Sequence, residues 1–364
     1  MGFRPRSFSI YLPAKPCLCI GEDATEPNGR GSMTEAGATE IPRVGQPALV
    51  VRIFGWSMLA LLASLLVNNL LVVWFDYPGM AALWSGSGAE GAWLNALVYA
   101  AFLLVGWVYV LATRDNSLRW EAMRIHGFNV YLVRALFWCV LLVGVVDVTV
   151  AFMRVESLLE IFVGDDFARN FRRASWVGVY IHYPLVILGF VIALFSRTLG
   201  FTWLALMIVL AELGIVVSRF VFSYEQALMG DLVRYWYAAL FLFASAYTLF
   251  EDGHVRVDVL YSGFGPAKRG FFNAWGTIFL GLSTAWVILV IGFNGKTSII
   301  NSPFANFEIS QSGSNGMFVK YQMALFLGIF GITMLIQFVS YLFESVADWR
   351  EEPGRREVAA SIEH

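Results

Sequence analysis

Hydrophobic positions along this chain gather into eight long apolar segments separated by polar turns. They run over about 53–75, 92–113, 131–153, 177–196, 200–221, 233–249, 271–293 and 319–343. A helix rises about 1.5 Å per residue, so about 20 residues cross the roughly 30 Å hydrocarbon core of a bilayer. Backbone amides and carbonyls cannot be left open in lipid, so each segment is predicted to be a helix. The pattern predicts an all-α integral membrane protein with about eight transmembrane helices. The 233–249 segment is the shortest. Rings gather near segment ends, among them Trp74, Tyr77, Trp93, Trp176, Tyr235 and Trp236, as membrane interfaces favour.

Composition agrees. The chain is 58% hydrophobic and 14% charged, with too little charge to cover a soluble surface. A net charge of −2 makes no case for nucleic acid. Residues 1–48 are polar and rich in Gly and Pro, with no apolar core of signal-peptide length. They read as a disordered cytoplasmic tail, and Met33 opens a plausible shorter start. An N-terminal membrane extension of about four helices is expected over 49–198, a second four-helix domain over 199–349, and a cytoplasmic tail over 350–364. With the N-terminus inside, 16 of the 25 Lys and Arg fall on the inner side and 8 on the outer, with Arg134 inside a segment. That bias predicts both termini cytoplasmic. The four arginines of the 154–176 loop run against it.

The least generic stretch is 201–261. It contains SRFVFSYEQALMGDLVRYW, from Ser218 to Trp236, and YTLFEDGHVRVDVLY, from Tyr247 to Tyr261. A helix ending in Arg-Phe-Val-Phe is followed by an acidic amphipathic turn, a short aromatic helix, and Gly-His-Val-Arg-Val-Asp. This order resembles the small membrane subunit (DctQ type) of the tripartite ATP-independent periplasmic (TRAP) transporters. The likeness covers roughly 201–349. A usual small subunit has four membrane helices, so this chain resembles an enlarged form with an N-terminal hydrophobic extension.

The resemblance implies a small permease subunit in the bacterial inner membrane, not an enzyme. Such a subunit scaffolds a separate large permease subunit, which carries the substrate and sodium sites. It helps to dock the periplasmic solute-binding protein for ion-coupled uptake of carboxylate-type solutes. Two other readings stay open. A stand-alone carrier predicts inverted repeats and a polar midplane cavity. A membrane anchor of an enzyme complex predicts clustered His, Asp or Glu at a membrane face. Neither feature is evident in the sequence.

Glu212, Arg219, Glu225, Asp231, Arg234, His254, Arg256 and Asp258 are the candidate contacts to the large subunit and the membrane lipid. The 294–320 loop is long, rich in Asn, Ser and Gly, and predicted to face outside. Its Lys296, Phe304, Phe307, Glu308 and Lys320 are candidates for docking the binding protein, with the 154–176 loop second. Glu212 and Asp147 are carboxylates within apolar segments, and such groups need an account. They read either as a relay or as a polar contact to a neighbouring helix or partner. An echo joins them. Asp147, Arg154, Glu160, Asp166 and Arg169 recur 65 residues later as Glu212, Arg219, Glu225, Asp231 and Arg234. Chance among helix ends and partial duplication both account for it.

No catalytic, metal or cofactor site is expected. Cys17 and Cys19 lie in the polar tail and Cys139 in a segment, which gives no disulfide framework. His126, His182, His254 and His364 do not form the facing pairs that a di-haem site needs. GxxxxGK[ST], HExxH and GxSxG are absent from the sequence.

Overall fold

The structure is a computed structural model and describes residues 41–83, 91–196, 201–250 and 261–355. Among them are eight helices long and apolar enough to cross a membrane: α1 Leu49–Trp74, α2 Ala92–Ala112, α3 Leu118–Val155, α4 Ala174–Phe195, α5 Phe201–Phe222, α6 Ala227–Phe250, α7 Pro266–Gly292 and α8 Lys320–Trp349. Each apolar segment of the sequence is one of these helices, and the fold is all-α. The shortest segment, 233–249, lies within a helix of 24 residues.

Helix α3 begins well before the apolar run at 131. Ser117 caps it, its hydroxyl accepting from the Trp120 amide at 3.3 Å, and Glu121 sits in the first turn, where a carboxylate suits the helix dipole. The polar side chains that hide this start from a hydrophobic pattern are buried against α8. Arg119 donates to Asp348 at 2.8 Å, His126 Nδ1 lies 3.0 Å from Gln337 Oε1, and Asn129 donates to the Thr333 carbonyl at 3.0 Å. At 38 residues, α3 is about 57 Å long. A bilayer with its headgroups is about 40–45 Å thick, so α3 either runs obliquely or projects.

Short described stretches of both expected tails are tied to the bundle. Residues 1–40 and 356–364 lie outside the described residues. Val44 pairs with Asn116, the Gly45 amide donates to the Asp115 carbonyl at 2.9 Å, and Ser117 donates to the Arg43 and Pro42 carbonyls at 2.8 and 2.6 Å. Residues 42–45 are thus tied to the α2–α3 turn by hydrogen bonds, although Val44 stays exposed. Arg119 likewise donates to the Glu352 and Pro353 carbonyls, both at 3.0 Å. Burial pushes the Glu352 carboxyl above its ordinary range, against the opposing pull of Arg350 and Arg119. Arg350 reaches back to Gln46 and Pro47. The two ends of the described chain therefore meet at one end of the bundle, as an even number of crossings requires.

Two apolar cores hold the bundle. One joins α1, α3, α7 and α8 through residues such as Leu62, Leu118, Leu289 and Phe343. The other joins α3, α5, α6 and α8 through Val143, Leu204, Phe243 and Phe326. Helices from either side of residue 198 share both cores, and the described residues form one compact unit.

Close approach of α4 to α3 depends on Gly189. A Cβ there would lie 2.6 Å from Cys139 Sγ and 2.7 Å from its backbone nitrogen. Gly189→Ala is expected to cost about 1–3 kcal/mol by overpacking. Gly214→Ala, on α5 with open space around it, should be neutral or stabilising by up to about 1 kcal/mol. Thermal unfolding of the two purified variants in mild detergent checks the contrast. Equal midpoints would remove the steric explanation.

Candidate functional site

At the end of the bundle opposite the described termini, the 306–319 loop is clamped by three side chains from two helices, α3 and α6. Asp147 of α3 accepts from the Phe318 amide at 2.8 Å. Asp231 of α6 accepts from the Met317 amide at 3.1 Å and from the Ser310 hydroxyl at 3.3 Å. Arg154 donates to the Ser314, Gly316 and Phe171 carbonyls at 2.8, 2.6 and 3.2 Å, and its guanidinium lies 4.0 Å from the Phe318 ring centre. All three side chains are buried. Two carboxylates and a guanidinium therefore replace the water that loop amides and carbonyls would otherwise need.

Behind the clamp lies a buried polar chain. His182 Nδ1 is 2.9 Å from the Tyr321 hydroxyl. Its Nε2 is 3.2 Å from Asp147 Oδ1, close enough for an ion pair but off the line of a hydrogen bond. Gln322 donates to the Tyr321 hydroxyl at 3.1 Å and accepts from Tyr235. A single π turn in α4, Gly178–His182, carries His182, and such turns recur at functional positions. The Phe307 ring occupies the space a Cβ at Gly178 would need. Phe307 holds a left-handed φ of 49°, uncommon for a bulky residue, and its ring also packs on Tyr321 and Tyr183.

This geometry sorts the docking candidates. Phe304 and Phe307 are half-buried and face inward, Phe304 against Trp74 and Tyr321. Their stacking on this chain's own rings makes them supports of the loop. Lys296, Glu308 and Lys320 are exposed. Lys296 pairs with Asp76, and Lys320 with Glu308 at 2.6 Å. In the neighbouring 154–176 loop, Arg172 pairs with Glu160 at 2.6 Å and Arg169 with Asp166. The Glu160 carboxyl is held below its ordinary range by its own backbone amide and then by Arg172.

The subunit-contact candidates divide in the same way. Asp231 is committed to the clamp. Glu212, Arg219, Glu225 and Arg234 are exposed, with Arg219 and Glu225 3.4 Å apart. His254, Arg256 and Asp258 lie outside the described residues. The Tyr224 hydroxyl donates to Glu156 at 2.5 Å, tying the α5–α6 turn to the end of α3. Burial, with Glu156 as partner, pushes the Tyr224 phenol up to about 12. Counterparts at the 65-residue offset occupy opposite environments. Asp147 and Arg154 are buried, whereas Glu212 and Arg219 are exposed.

Helix α5 is the least covered of the eight. Only Leu204 and Ile208 of its residues are buried, and 6% of its most apolar stretch is covered, against 50% for α8. Glu212 sits halfway along this helix among exposed Val209, Leu213 and Val216. Among the described residues it has no ion partner.

Residues 205–348, spanning nearly all of α5 through α8, match the family model described as Tripartite ATP-independent periplasmic transporters, DctQ component. The C-terminal part of this chain is thus similar to the DctQ component. No curated protein and no solved structure matches the chain. Four membrane-length helices, α1 to α4, precede the matched residues, a layout consistent with an enlarged form of the small subunit. Eight such helices among the described residues are long and apolar enough for a multi-pass membrane protein.

The sequence reading missed the chain from His182 through Tyr321 and Gln322 to Tyr235. The available signal was a histidine and an aspartate, each alone in an apolar segment, since a buried polar group in a span needs a partner. Their separation in sequence concealed that they meet.

Proposed function

We propose that this chain is the small permease subunit of a TRAP-type secondary transporter. It scaffolds a large permease subunit and helps to dock a periplasmic solute-binding protein for ion-coupled uptake of carboxylate-type solutes. The observation that carries the reading is the outward face of α5, the first helix of the stretch similar to the DctQ component. A carboxylate exposed halfway along a spanning helix is costly against lipid. A partner protein offering a cation or hydrogen-bond donors to Glu212 removes that cost. The exposed Arg219, Glu225 and Arg234 continue the same contact towards the membrane surface. For the binding protein, exposed Glu308 stands on the loop that the clamp keeps ordered, which lowers the entropy cost of docking. It is paired with exposed Lys320 at the start of α8, and exposed Lys296 precedes that loop.

The test is affinity purification of the tagged full chain from its host in gentle detergent, with mass spectrometry of what accompanies it. A stoichiometric, larger and very hydrophobic membrane protein is expected. A homo-oligomer alone would overturn the proposal in favour of a stand-alone carrier. Glu212→Leu is expected to lower recovery of the large partner by at least about tenfold, equivalent to about 1.4 kcal/mol. The variant should remain monodisperse, because Glu212 touches nothing that the fold needs. Undiminished recovery would move the contact to another face.

A further inference from the structure

A cavity of about 640 Å³ opens between α1, α2, α3 and α8, mostly in the extension that precedes the stretch similar to the DctQ component. Its size is that of sites which enclose a small organic ligand. Leu59, Leu66, Leu132 and Ile332 are among its apolar walls. Along α1 the lining runs from Trp56 to Leu66, a rise of about 15 Å. That is about half of the roughly 30 Å hydrocarbon core, the depth of one leaflet. Phe128 forms part of the wall and stays 58% exposed, so the cavity is reached from the side.

Its charged groups lie at one end only. Glu121 is there, but Arg52 neutralises it with bonds of 2.6 and 2.9 Å. Arg124 is there too, exposed, 4.8 Å from the Trp120 ring centre. On the same ring, 5.1 Å from its centre, lies Arg43. Among the described residues neither guanidinium is paired with a carboxylate. Two cations with no carboxylate partner among the described residues and an indole thus stand beside the charged end of a leaflet-deep apolar cavity, Arg124 being the one of the three that lines it. Indole and guanidinium are groups suited to a membrane interface, and an anion between the two arginines would complete both.

We propose that this cavity holds one anionic phospholipid, with an acyl chain between α1, α2, α3 and α8 and the phosphate between Arg43 and Arg124. The extension thereby becomes a lipid-binding element that fastens the residues just before α1 to the start of α3.

The full-length chain, stripped of lipid in detergent, is offered phosphatidylglycerol or phosphatidylethanolamine with identical acyl chains. Retention is read by native mass spectrometry, with no transport assay, so the result is independent of the permease reading. Phosphatidylglycerol is expected to be retained at least about fivefold better, the effect of one arginine near a headgroup. The double variant Arg43→Gln, Arg124→Gln should lose that preference while still retaining phosphatidylethanolamine. Ala63→Phe, and separately Leu132→Phe from the facing helix, should reduce retention of both lipids. Each filling variant is scored once its thermal midpoint shows that it is folded. Equal retention of the two lipids by the native chain would overturn the proposal. So would a preference that survives loss of both arginines, or retention unchanged in a folded cavity-filling variant.

Discussion

Replacing Arg52 with methionine is expected to destabilise the folded chain by about 3–5 kcal/mol, the cost of leaving a buried charge without its partner. Arg52 is fully buried and Glu121 is 1% exposed. Two parallel bonds join them, and Arg52 also donates to the Thr113 carbonyl at 2.6 Å and its hydroxyl at 2.7 Å. Trp56 donates a further bond to the same carboxylate at 3.1 Å. The guanidinium thus joins the starts of α1 and α3 to the end of α2. With methionine there, the carboxylate keeps its desolvation cost and loses its counter-charge. The double variant Arg52→Met, Glu121→Leu should recover most of the loss, because it removes both charges together. Thermal unfolding and gel filtration in mild detergent distinguish the outcomes. A single variant as stable as the native chain would show that water reaches Glu121.

Arg154→Met carries the second large effect. It removes three charge-assisted bonds to the carbonyls of Ser314, Gly316 and Phe171, each of a kind worth about 1.5–3 kcal/mol but not additive within one network. A loss of about 3 kcal/mol, concentrated on the 306–319 loop, is expected. Hydrogen exchange localises it. The Met317 and Phe318 amides, bonded to Asp231 and Asp147, should exchange at least about tenfold faster, the response to about 1.4 kcal/mol of easier local opening. Amides in α7 should be unchanged. Unaltered protection of Met317 and Phe318 would show that the two carboxylates hold the loop without the guanidinium. If the loop is a docking surface, the same variant should weaken capture of the solute-binding protein even though Lys296 and Lys320 are intact.

How far the site was legible follows from the range of each interaction. Glu212 and Asp147 look alike in sequence, each an acid in an apolar segment with an arginine seven residues on. In the fold Asp147 is enclosed by α4 and the 306–319 loop, whereas Glu212 faces outward. No local pattern separates them, because the difference lies in which helices pack on each. Phe304 and Phe307 posed the same problem. An aromatic residue in a polar loop suits a docking surface, but these two find Tyr321 and the bare backbone of Gly178 beneath them.

Helix number, the all-α class and the stretch similar to the DctQ component were readable from the chain itself. They rest on apolar length and on an ordered local motif, and a membrane leaves the backbone no alternative to the helix. Only the tertiary structure decided where polar side chains found partners. Arg52 meets Glu121 across 69 residues, and His126 meets Gln337 across 211. Pairings of this long-range kind extend α3 past its apolar run, tie the two ends of the described chain together through Arg119 and Arg350, and clamp the 306–319 loop through Asp147, Asp231 and Arg154. They also leave the face of α5 open. The reason is physical: burying apolar surface is non-directional and shows in composition, whereas a buried charge is tolerated only where a specific distant group comes to meet it.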